Sequence, residues 1–326
     1  MSRLVLNTIE LEIFGRSHDE YIAGRLKGIS KGHKIDFEEL RELMERRRPG
    51  KSNTSQRNEA DAIEIISGFN DDTTNGETIE IRIKNKDVNS KDYDDLKYIP
   101  RPGHADFGAY LKYGLEYDMS GGGEFSGRLT AVITALGGIV IQILEKKGIG
   151  FNAELVSVHG SEDIDGEIKK AMENQDSVGG IIRCSINGLN AGIGGEYFDG
   201  IESAISRLIF AIPAVKGIEF GSGFSGVNIY GSENNDQFGL LNEKVKPLSN
   251  NAGGILGGIS TGEEIYYSVA VKPTPSIGKT QKSVNMKTME EVEISISGRH
   301  DPCVAVRACP VVEALSAIAL ADYLEV

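Results

Sequence analysis

The chain has 326 residues, of which 40% are hydrophobic and 25% are charged, and its formal net charge at pH 7 is −13. This composition is that of a globular chain long enough to bury a sizeable core, so it argues against disorder. The acidic balance argues against a nucleic-acid partner, because phosphate binding needs a basic surface. Any anion must therefore be bound by a local cluster of basic residues.

The amino-terminal sequence and the cysteines bear on the compartment. MSRLVLNTIELEIFG lacks the basic lead and apolar core of a secretion signal, and no stretch is expected to reach the roughly 18 apolar residues that a membrane span needs. Cys184, Cys303 and Cys309 have no metal-ligand spacing and are expected to be reduced thiols. We therefore expect a cytoplasmic protein with no membrane partner.

The predicted elements of the first half alternate helices and strands. DFEELRELMERRR begins with Asp36 as N-cap and predicts a helix that ends at a Pro-Gly pair. AIEIISG and IEIRIKN alternate apolar and polar residues and predict an antiparallel pair of strands. Residues 129–148 are apolar on nearly every side, which predicts a buried helix, and Gly137 and Gly138 would let a neighbouring element approach it closely.

The second half repeats this mixture. Strands are predicted for AELVSVHG, GGIIRCSING, GVNIYG and EIYYSVAVKP, and helices for FDGIESAISRLIFAI and CPVVEALSAIALADYLEV, with Pro310 in the first turn of the last helix. No repeat of fixed period and no low-complexity linker divides the sequence. We therefore expect a single domain, residues 1–326, in which sheets pack on helices.

Glycine-rich stretches and arginines indicate an anion site. SGGGEFSG, FGSGFSG and NNAGGILGGISTG are too clustered for ordinary hairpin turns, and their N–H groups can face an anion, but none fits a dinucleotide or Walker motif. The run Arg46, Arg47 and Arg48 ends the first helix, where favourable interaction with the helix dipole is an equally good interpretation. Other arginines beside turns are Arg57, Arg101, Arg128 and Arg299. Together these residues predict an anionic ligand.

Three of the five histidines stand beside an arginine or an acid in turn-like sequence: His18 in FGRSHDE, His104 in RPGHAD and His300 in GRHDP. The Pro-Gly turn of RPGHAD would hold the ring of His104 on exposed backbone. A structural role is the usual interpretation of a lone histidine, but three in similar settings favour acid–base chemistry. No metal site is predicted, because the histidines lack ligand spacing and the neighbouring arginines would repel a cation.

The order of these motifs resembles that of a known family. GRSHD, RRRPGKS, RPGHADF, GGGEFSGR, IPAVKGIEFGSGF, NNAGGILGGISTG, KPTPSI and GRHDPCVAVRACPVVEA occur in the order and approximate spacing of chorismate synthases, over nearly the whole chain. The resemblance implies an α+β fold, a β–α–β sandwich with antiparallel sheets packed around a helical layer, in a homotetramer. It also implies anti-1,4-elimination of phosphate from 5-enolpyruvylshikimate 3-phosphate, which gives chorismate in the shikimate pathway and requires reduced FMN.

The resemblance further implies roles for individual residues. His18 resembles the acid that assists phosphate departure, His104 the acid that protonates or stabilises reduced flavin, and Asp301 the carboxylate that removes the substrate proton together with the flavin. Arg47 matches a position associated with NADPH, which leaves open whether the enzyme reduces its own flavin. The residues expected to bind the anionic substrate are Arg48, Arg57, Arg101 and Arg128. Those expected to bind FMN are Glu124, Phe125, Ser126, Pro213, Ala214, Gly257, Lys272, Pro273, Thr274, Pro275, Ser276 and Arg299.

Two alternatives to this reaction stay open. A non-catalytic paralogue that binds flavin or phosphate would keep the glycine loops and lose the proton donors, whereas this chain has His18, His104 and Asp301. The second alternative is an NADPH-dependent flavin oxidoreductase.

The chain departs from the family motif at two charged positions. The family usually has Gly-Glu-Ser-His-Gly around the first histidine and Gly-Gly-Gly-Arg after the triple glycine, whereas this chain has Arg16 and Glu124 at the charged positions. A reciprocal exchange would preserve an ion pair that braces the two loops. We therefore predict that Arg16 and Glu124 lie within about 4 Å of each other. In the alternative, the exchange is a coincidence and both side chains point into solvent.

Overall fold

The computed structural model describes residues 2–48, 61–85, 96–296 and 301–326. Within these residues, two antiparallel sheets lie on either side of a layer of helices. This arrangement confirms the α+β sandwich that the family resemblance implied.

The described residues contain both helices and strands. The helices are α1 (Phe37–Arg47), α2 (Asp106–Tyr113), α3 (Thr130–Glu145), α4 (Ile164–Glu173), α5 (Ile201–Ile209), α6 (Gly231–Asn234) and α7 (Ala305–Ala321). The strands of the two large sheets are β1 (Ser2–Val5), β2 (Glu10–Phe14), β3 (Tyr21–Lys27), β4 (Ile63–Ser67), β7 (Ile79–Lys84), β8 (Gly150–Val158), β9 (Gly180–Asn187), β10 (Val215–Phe220) and β15 (Ile265–Val271). The strands of the small two-stranded sheets are β5 (Phe69–Asn70), β6 (Thr73–Thr74), β11 (Phe238–Leu241), β12 (Lys244–Pro247), β13 (Ile255–Leu256), β14 (Ile259–Ser260), β16 (Gln281–Asn285) and β17 (Glu290–Ile294).

The first large sheet has the strand order β1-β2-β3-β7-β4, and every neighbouring pair is antiparallel. The predicted pairing of AIEIISG with IEIRIKN is confirmed, because β4 lies beside β7 with Ile65 opposite Ile81. Along β7 the side chains of Ile79, Ile81 and Ile83 are fully buried. This period of two places one face of the strand on the helical layer, where β3 and β7 pack on α3.

The second large sheet has the order β10-β15-β9-β8, again antiparallel throughout. Its buried face packs on α7, which contacts β8 and β9. The central strand β15 alternates buried and half-buried residues along its whole length. The strands predicted from AELVSVHG, GGIIRCSING and EIYYSVAVKP are β8, β9 and β15, so these three predictions are confirmed.

The helical layer has α3 and α7 at its centre, with α1 packed on both and α5 packed on α7. A Cβ atom added at Gly137 would lie 2.4 Å from the Cβ of Ala314, and one at Gly138 would lie 2.5 Å from Cδ1 of Leu40. These contacts confirm that the glycine pair of α3 permits close approach. Each fully buried Ile or Leu in this layer stabilises the fold by about 1.5–3 kcal/mol.

The segment from Ser120 to Glu145, which contains α3, is long and apolar enough to cross a membrane by length and composition alone. The expectation that no stretch reaches this limit was therefore wrong. However, 89% of the most apolar part of this segment is buried inside the fold. Packing between the two sheets accounts for its hydrophobicity, because a helix at the centre of a core is apolar on all sides.

Two local predictions were wrong. GVNIYG is not a strand: a 3₁₀ helix covers Gly223–Asn228, and α6 begins at Gly231. Val227 and Tyr230 are largely exposed, so the apolar alternation has no sheet to pack on. Pro310 lies in the second turn of the last helix, because α7 begins at Ala305. Burial of the residues before the proline extends the helix beyond the start that the proline alone suggests.

Candidate active site

A cavity of about 810 Å³ lies where α1 ends and where α3 and α7 begin. Its walls include residues from the segments 101–105, 121–128, 210–216, 272–276 and 301–311. The predicted site residues that line it are Arg47, Arg101, His104, Glu124, Phe125, Ser126, Arg128, Pro213, Ala214, Lys272, Thr274, Pro275, Ser276 and Asp301. Segments that are far apart in the sequence therefore meet at one cavity.

Some predicted site residues lie elsewhere. His18, Arg48, Gly257 and Pro273 are described by the structure but are not in the cavity wall. Arg48 lies at the end of α1 and pairs with Glu45 at 2.9 Å, and Gly257 lies in the turn between β13 and β14. The predicted residues Arg57 and Arg299, and also His300, lie outside the described residues.

His104 is held by a buried charged pair. Its Nδ1 lies 2.6 Å from Oδ1 of Asp106, the first residue of α2. Arg101 donates to both oxygens of that carboxylate, from Nε at 2.7 Å and from Nη2 at 2.8 Å. Burial alone would raise the pKa of Asp106, but the hydrogen bonds from Arg101 and His104 hold it well below its usual range. The ionised carboxylate only accepts, so it orients the ring through Nδ1 and leaves Nε2 for other chemistry.

His18 lies on a turn beside the glycine loop, residues 121–123. The hydroxyl of Ser17 lies 3.1 Å from Nδ1 of His18 and 3.2 Å from the carbonyl oxygens of both Ser120 and Gly121. Gly121 has a φ of +58°, and a Cβ atom added there would lie 2.0 Å from Cε1 of His18. Only glycine fits this position, since a side chain would be strained and would also collide with the ring. Gly121 lines the cavity, so the ring of His18 lies next to a residue of the cavity wall.

Two predicted anion-binding arginines converge on one buried carboxylate. Nη1 of Arg47 lies 2.7 Å from Oδ2 of Asp61, and Arg128 donates to the other oxygen. Burial raises the pKa of Asp61, but the charges of Arg47 and Arg128 more than offset this and lower it overall. Because all three side chains are buried, the carboxylate fixes both guanidinium groups in the cavity wall.

Asp301 is oriented by a residue of α7. Nη1 of Arg307 lies 2.6 Å from Oδ2 of Asp301, and Nε of Arg307 donates to the carbonyl oxygen of Arg47 at 2.9 Å. Both side chains line the cavity. The ion pair therefore holds a carboxylate in the cavity wall, next to the end of α1 that carries Arg47.

The KPTPS segment contributes a cation and an unpaired hydroxyl. Lys272 donates from Nζ to the carbonyl oxygen of Gly103, which connects this segment to the turn before His104. Burial, followed by the charge of Lys216, lowers the pKa of Lys272. Oγ1 of Thr274 is buried and is the one side-chain oxygen or nitrogen of the described residues that is buried without a hydrogen-bond partner. Such an atom is costly unless a ligand satisfies it.

Comparison with known proteins identifies the family. A family model described as chorismate synthase matches residues 9–324. A relative named chorismate synthase from Chitinophaga pinensis is 43% identical over 314 residues, which covers 96% of this chain and 94% of that protein. Another from Korarchaeum cryptofilum is 39% identical over 345 residues and covers 97% and 95% of the two chains. The chain belongs to the chorismate synthase family. It is therefore an enzyme, a lyase of the shikimate pathway.

The fold agrees with a solved structure described as a crystal structure of chorismate synthase. The TM-score is 0.78 at 24% sequence identity, over 98% of this chain and 92% of that one. At this identity the likeness supports the fold alone. The sandwich of two antiparallel sheets around α3 and α7 is thus the architecture of a known chorismate synthase.

The charge exchange at Arg16 and Glu124 does not form the predicted contact. Both residues are described by the structure, and no ion pair within 4.0 Å joins them. Instead, Tyr117 lies between them: Cζ of Arg16 is 5.1 Å from its ring centroid, and its hydroxyl donates to Oε2 of Glu124 at 3.0 Å. The prediction of a direct ion pair was wrong. The sequence does not show that the ring of Tyr117 fits between the two charged side chains.

The sequence did not single out the residues that orient the site. Asp106 stands in RPGHAD two residues after His104, and its position at the start of α2 was a usable signal. Arg307 lies six residues after Asp301 in the motif GRHDPCVAVRACPVVEA, but its pairing depends on where α7 begins. Asp61 had no local signal, because its two partners lie 14 and 67 residues away along the chain.

Proposed function

We propose that this chain catalyses anti-1,4-elimination of phosphate from 5-enolpyruvylshikimate 3-phosphate to give chorismate. The observation that carries the proposal is the convergence of His104, Asp301 and buried arginines on one cavity, with His18 next to its glycine loop. An elimination needs a base for the departing proton and an acid for the departing phosphate. A carboxylate and two histidines beside a cationic wall are suited to these tasks.

The cationic wall is suited to the anionic groups of the substrate. Arg47, Arg128 and Asp61 together carry a net positive charge, since two guanidinium groups share one carboxylate. Lys216 and Lys272 also line the cavity. In a protein whose formal charge is −13, this is a local positive field of the kind that phosphate and carboxylate groups require. In this proposal Arg101 acts mainly through Asp106 and His104, because its Nε and Nη2 donate to Asp106 and Nη2 also lies 3.0 Å from Nδ1 of His104.

We assign the proton transfers of this reaction to three side chains. Asp301 accepts the substrate proton, and Arg307 keeps its carboxylate oriented for that transfer. His18 donates to the leaving phosphate, with Ser17 fixing the ring at Nδ1. With Nδ1 bonded to the carboxylate of Asp106, the ring of His104 has Nε2 as the atom at which a proton is gained or lost. Fixing each ring through one nitrogen leaves the second in a defined direction, which lowers the entropic cost of the proton transfer.

The cofactor that we propose is reduced FMN. The unpaired Oγ1 of Thr274 supports a bound group at the KPTPS segment, and Lys272 offers a cation for a phosphate. Ser126, Ala214 and Ser276 line the same cavity and would contribute further contacts. When bound, reduced flavin supplies an electron-rich ring that assists the elimination without net redox change.

NADPH as a reductant has less support from the cavity. Arg47, the residue expected to contact it, bonds to Asp61, to the hydroxyl of Thr130 at 3.0 Å and to the carbonyl oxygen of Gly127 at 3.0 Å. We therefore propose that Arg47 shapes the cavity wall.

We also propose that the protein is a homotetramer in the cytoplasm. Among the described residues, large exposed apolar side chains are concentrated between residues 197 and 256. They include Tyr197, Phe198, Phe224, Val227, Tyr230, Leu240 and Val245. Exposed apolar side chains in such numbers are typical of a surface that contacts another copy. Sedimentation equilibrium measures the mass directly, and a monomer at micromolar concentration would contradict the tetramer.

An anaerobic assay tests the proposed reaction. The purified protein is mixed with chemically reduced FMN and 5-enolpyruvylshikimate 3-phosphate, and phosphate and chorismate are measured together. Equimolar release of both with no net flavin oxidation is expected. Flavin binding without product would indicate a non-catalytic paralogue. In a parallel assay with oxidised FMN and NADPH, NADPH consumption without phosphate release would indicate an oxidoreductase.

A further inference from the structure

Asn85 lies immediately after β7, behind the turn that carries His18. Its side chain is buried, with a relative exposure of 6%. Nδ2 donates to the carbonyl oxygen of Asp19 at 2.7 Å and to that of Arg16 at 3.2 Å. Its backbone N–H donates to the carbonyl oxygen of Glu20 at 3.0 Å. One residue therefore holds three carbonyl groups on both sides of His18.

The oxygen of the same amide, Oδ1, accepts a hydrogen bond from a residue of the cavity wall. Nε of Arg128 donates to Oδ1 of Asn85 at 2.9 Å. Arg128 lines the cavity and also pairs with Asp61. The amide of Asn85 thus joins the turn before and after His18 to an arginine of the cavity. This junction needs a donor and an acceptor on one short side chain, which asparagine supplies and aspartate or alanine does not.

Other contacts fix different parts of the turn. Asp19 closes it internally, since its carboxylate accepts from the backbone N–H of Arg16 at 2.8 Å. Ser17 ties it to the glycine loop. Neither contact involves Arg128, whereas the hydrogen bonds of Asn85 connect the turn directly to that arginine.

We propose that Asn85 is a positioning residue that sets the His18 turn against Arg128 in the cavity wall. The inference rests on the proposed role of His18 as an acid. It goes beyond that role by naming the residue that keeps the acid in register with the substrate-binding wall.

Two substitutions distinguish the role of the donor, Nδ2, from that of the acceptor, Oδ1. Asn85→Asp keeps an acceptor for Arg128 and removes the donor to the turn, whereas Asn85→Ala removes both. We expect each variant to lower kcat by roughly 10- to 100-fold, with a change in KM of less than about threefold, because misplacement of an acid affects the transition state most. A kcat for Asn85→Asp within about twofold of the wild type would overturn the proposal, since the contact with Arg128 alone would then suffice.

Gln142→Glu is the matched control. Gln142 is as buried as Asn85, and its amide also holds backbone, accepting from the N–H of Asp36 and donating to its carbonyl oxygen, both at 2.8 Å. It lies outside the cavity wall. The substitution makes the same amide-to-carboxylate change and is expected to lower stability without the loss of kcat. An equal loss of kcat in this control would indicate a general effect of destabilisation and would overturn the proposal.

A chemical readout makes the test independent of turnover. Diethyl pyrocarbonate modifies accessible histidines, and mass spectrometry of peptides gives the rate for each ring. In both Asn85 variants the rate at His18 is expected to rise by at least about threefold, because the turn is released, while exposed His159 serves as an internal reference. An unchanged rate at His18 in both variants would overturn the positioning role. This readout decides the role of Asn85 even if the wild-type protein is inactive in the phosphate assay, which would contradict only the proposed function.

A double variant tests whether Asn85 acts through His18. When His18 is already alanine, Asn85→Ala should lower kcat by less than about twofold more, because the ring it positions is absent. A full additional loss would assign Asn85 a separate structural role and would contradict the inference.

Discussion

His104 and His18 lie against neighbouring glycines of one loop, Gly122 and Gly121, but are held in different ways. His104 is fixed by buried charges, through Asp106 and Arg101. The His18 turn is fixed mainly by neutral hydrogen bonds to backbone carbonyls. A charged clamp is costly to break at one partner and depends on pH. A neutral clamp depends on shape, so it is sensitive to an added methyl group.

The largest effect is expected from Asp106→Ala. It leaves the buried guanidinium of Arg101 without its carboxylate, which should lower the free energy of unfolding by about 3–5 kcal/mol. Urea denaturation measures this change. The double variant Arg101→Leu/Asp106→Leu removes both charges and should recover a large part of the loss. If the single variant loses less than about 1 kcal/mol, the clamp is not a buried ion pair in solution.

The same clamp predicts the response to acid. The pKa of Asp106 is depressed in the folded state below its ordinary value of 3.8, so the carboxylate stabilises the fold above that value. This stabilisation is lost as the pH falls towards the folded pKa. We expect the free energy of unfolding to decrease from about pH 5 downwards, and to decrease less steeply in Asp106→Ala. Parallel pH profiles for the two proteins would show that Asp106 has no depressed pKa.

Loss of either ring should cost a similar amount of activity. His18→Ala and His104→Ala are each expected to lower kcat by about 100-fold or more with the fold intact, because general acids typically contribute this much. Steady-state assays with reduced FMN measure it, and His159→Ala, on the exposed surface, is the control. A near-normal rate in one variant would remove that histidine from the mechanism.

Gly121→Ala should disturb only the His18 turn, which neutral hydrogen bonds hold, and not the charged contacts of His104. The left-handed backbone costs alanine about 1–2 kcal/mol, and the added methyl displaces the ring of His18. The melting temperature, measured by thermal denaturation, and kcat should both decrease. Gly108→Ala, inside α2 where an added Cβ atom meets nothing within 4 Å, should lower neither, because alanine favours a helix more than glycine does. Equal behaviour of the two variants would mean that the loop can move away from His18.

The smallest effect is expected from Tyr117→Phe. It removes the hydroxyl that donates to Glu124 and keeps the ring beneath Arg16. Because the contact is partly exposed, the loss of stability should lie between 0 and about 1 kcal/mol. Urea denaturation measures it. A larger loss than from Gly121→Ala would mean that the bridge, and not the glycine loop, holds the two loops together.

Sequence patterns predicted the elements whose stability is local or periodic. Asp36 caps α1 by accepting from the N–H groups of Glu38 and Glu39, which a short-range motif reveals. The continuous apolar pattern of α3 required burial on all sides. GVNIYG failed because alternation alone does not supply a partner strand. Its apolar residues remain exposed on this chain.

The candidate site was predicted to the level of residue types and motifs. Short motifs identified the loops that carry His104, Asp301 and the glycine triplet, and the structure brings them to one cavity. Their partners were not predicted. The arginines were expected to face a ligand, yet the strongest contacts of Arg47 and Arg128 are to Asp61.

The sequence by itself determined the family, the alternation of helices and strands, and which loops carry acids, bases and cations. These features depend on composition, on periods of 2 and 3.6 residues, and on motifs contained in short segments. Only the tertiary structure decided that Asp61 joins two arginines, that Tyr117 separates Arg16 from Glu124, and that Asn85 links the His18 turn to the cavity. Each of these arrangements includes a contact between segments distant in sequence, which only the tertiary fold brings together and which no local pattern encodes.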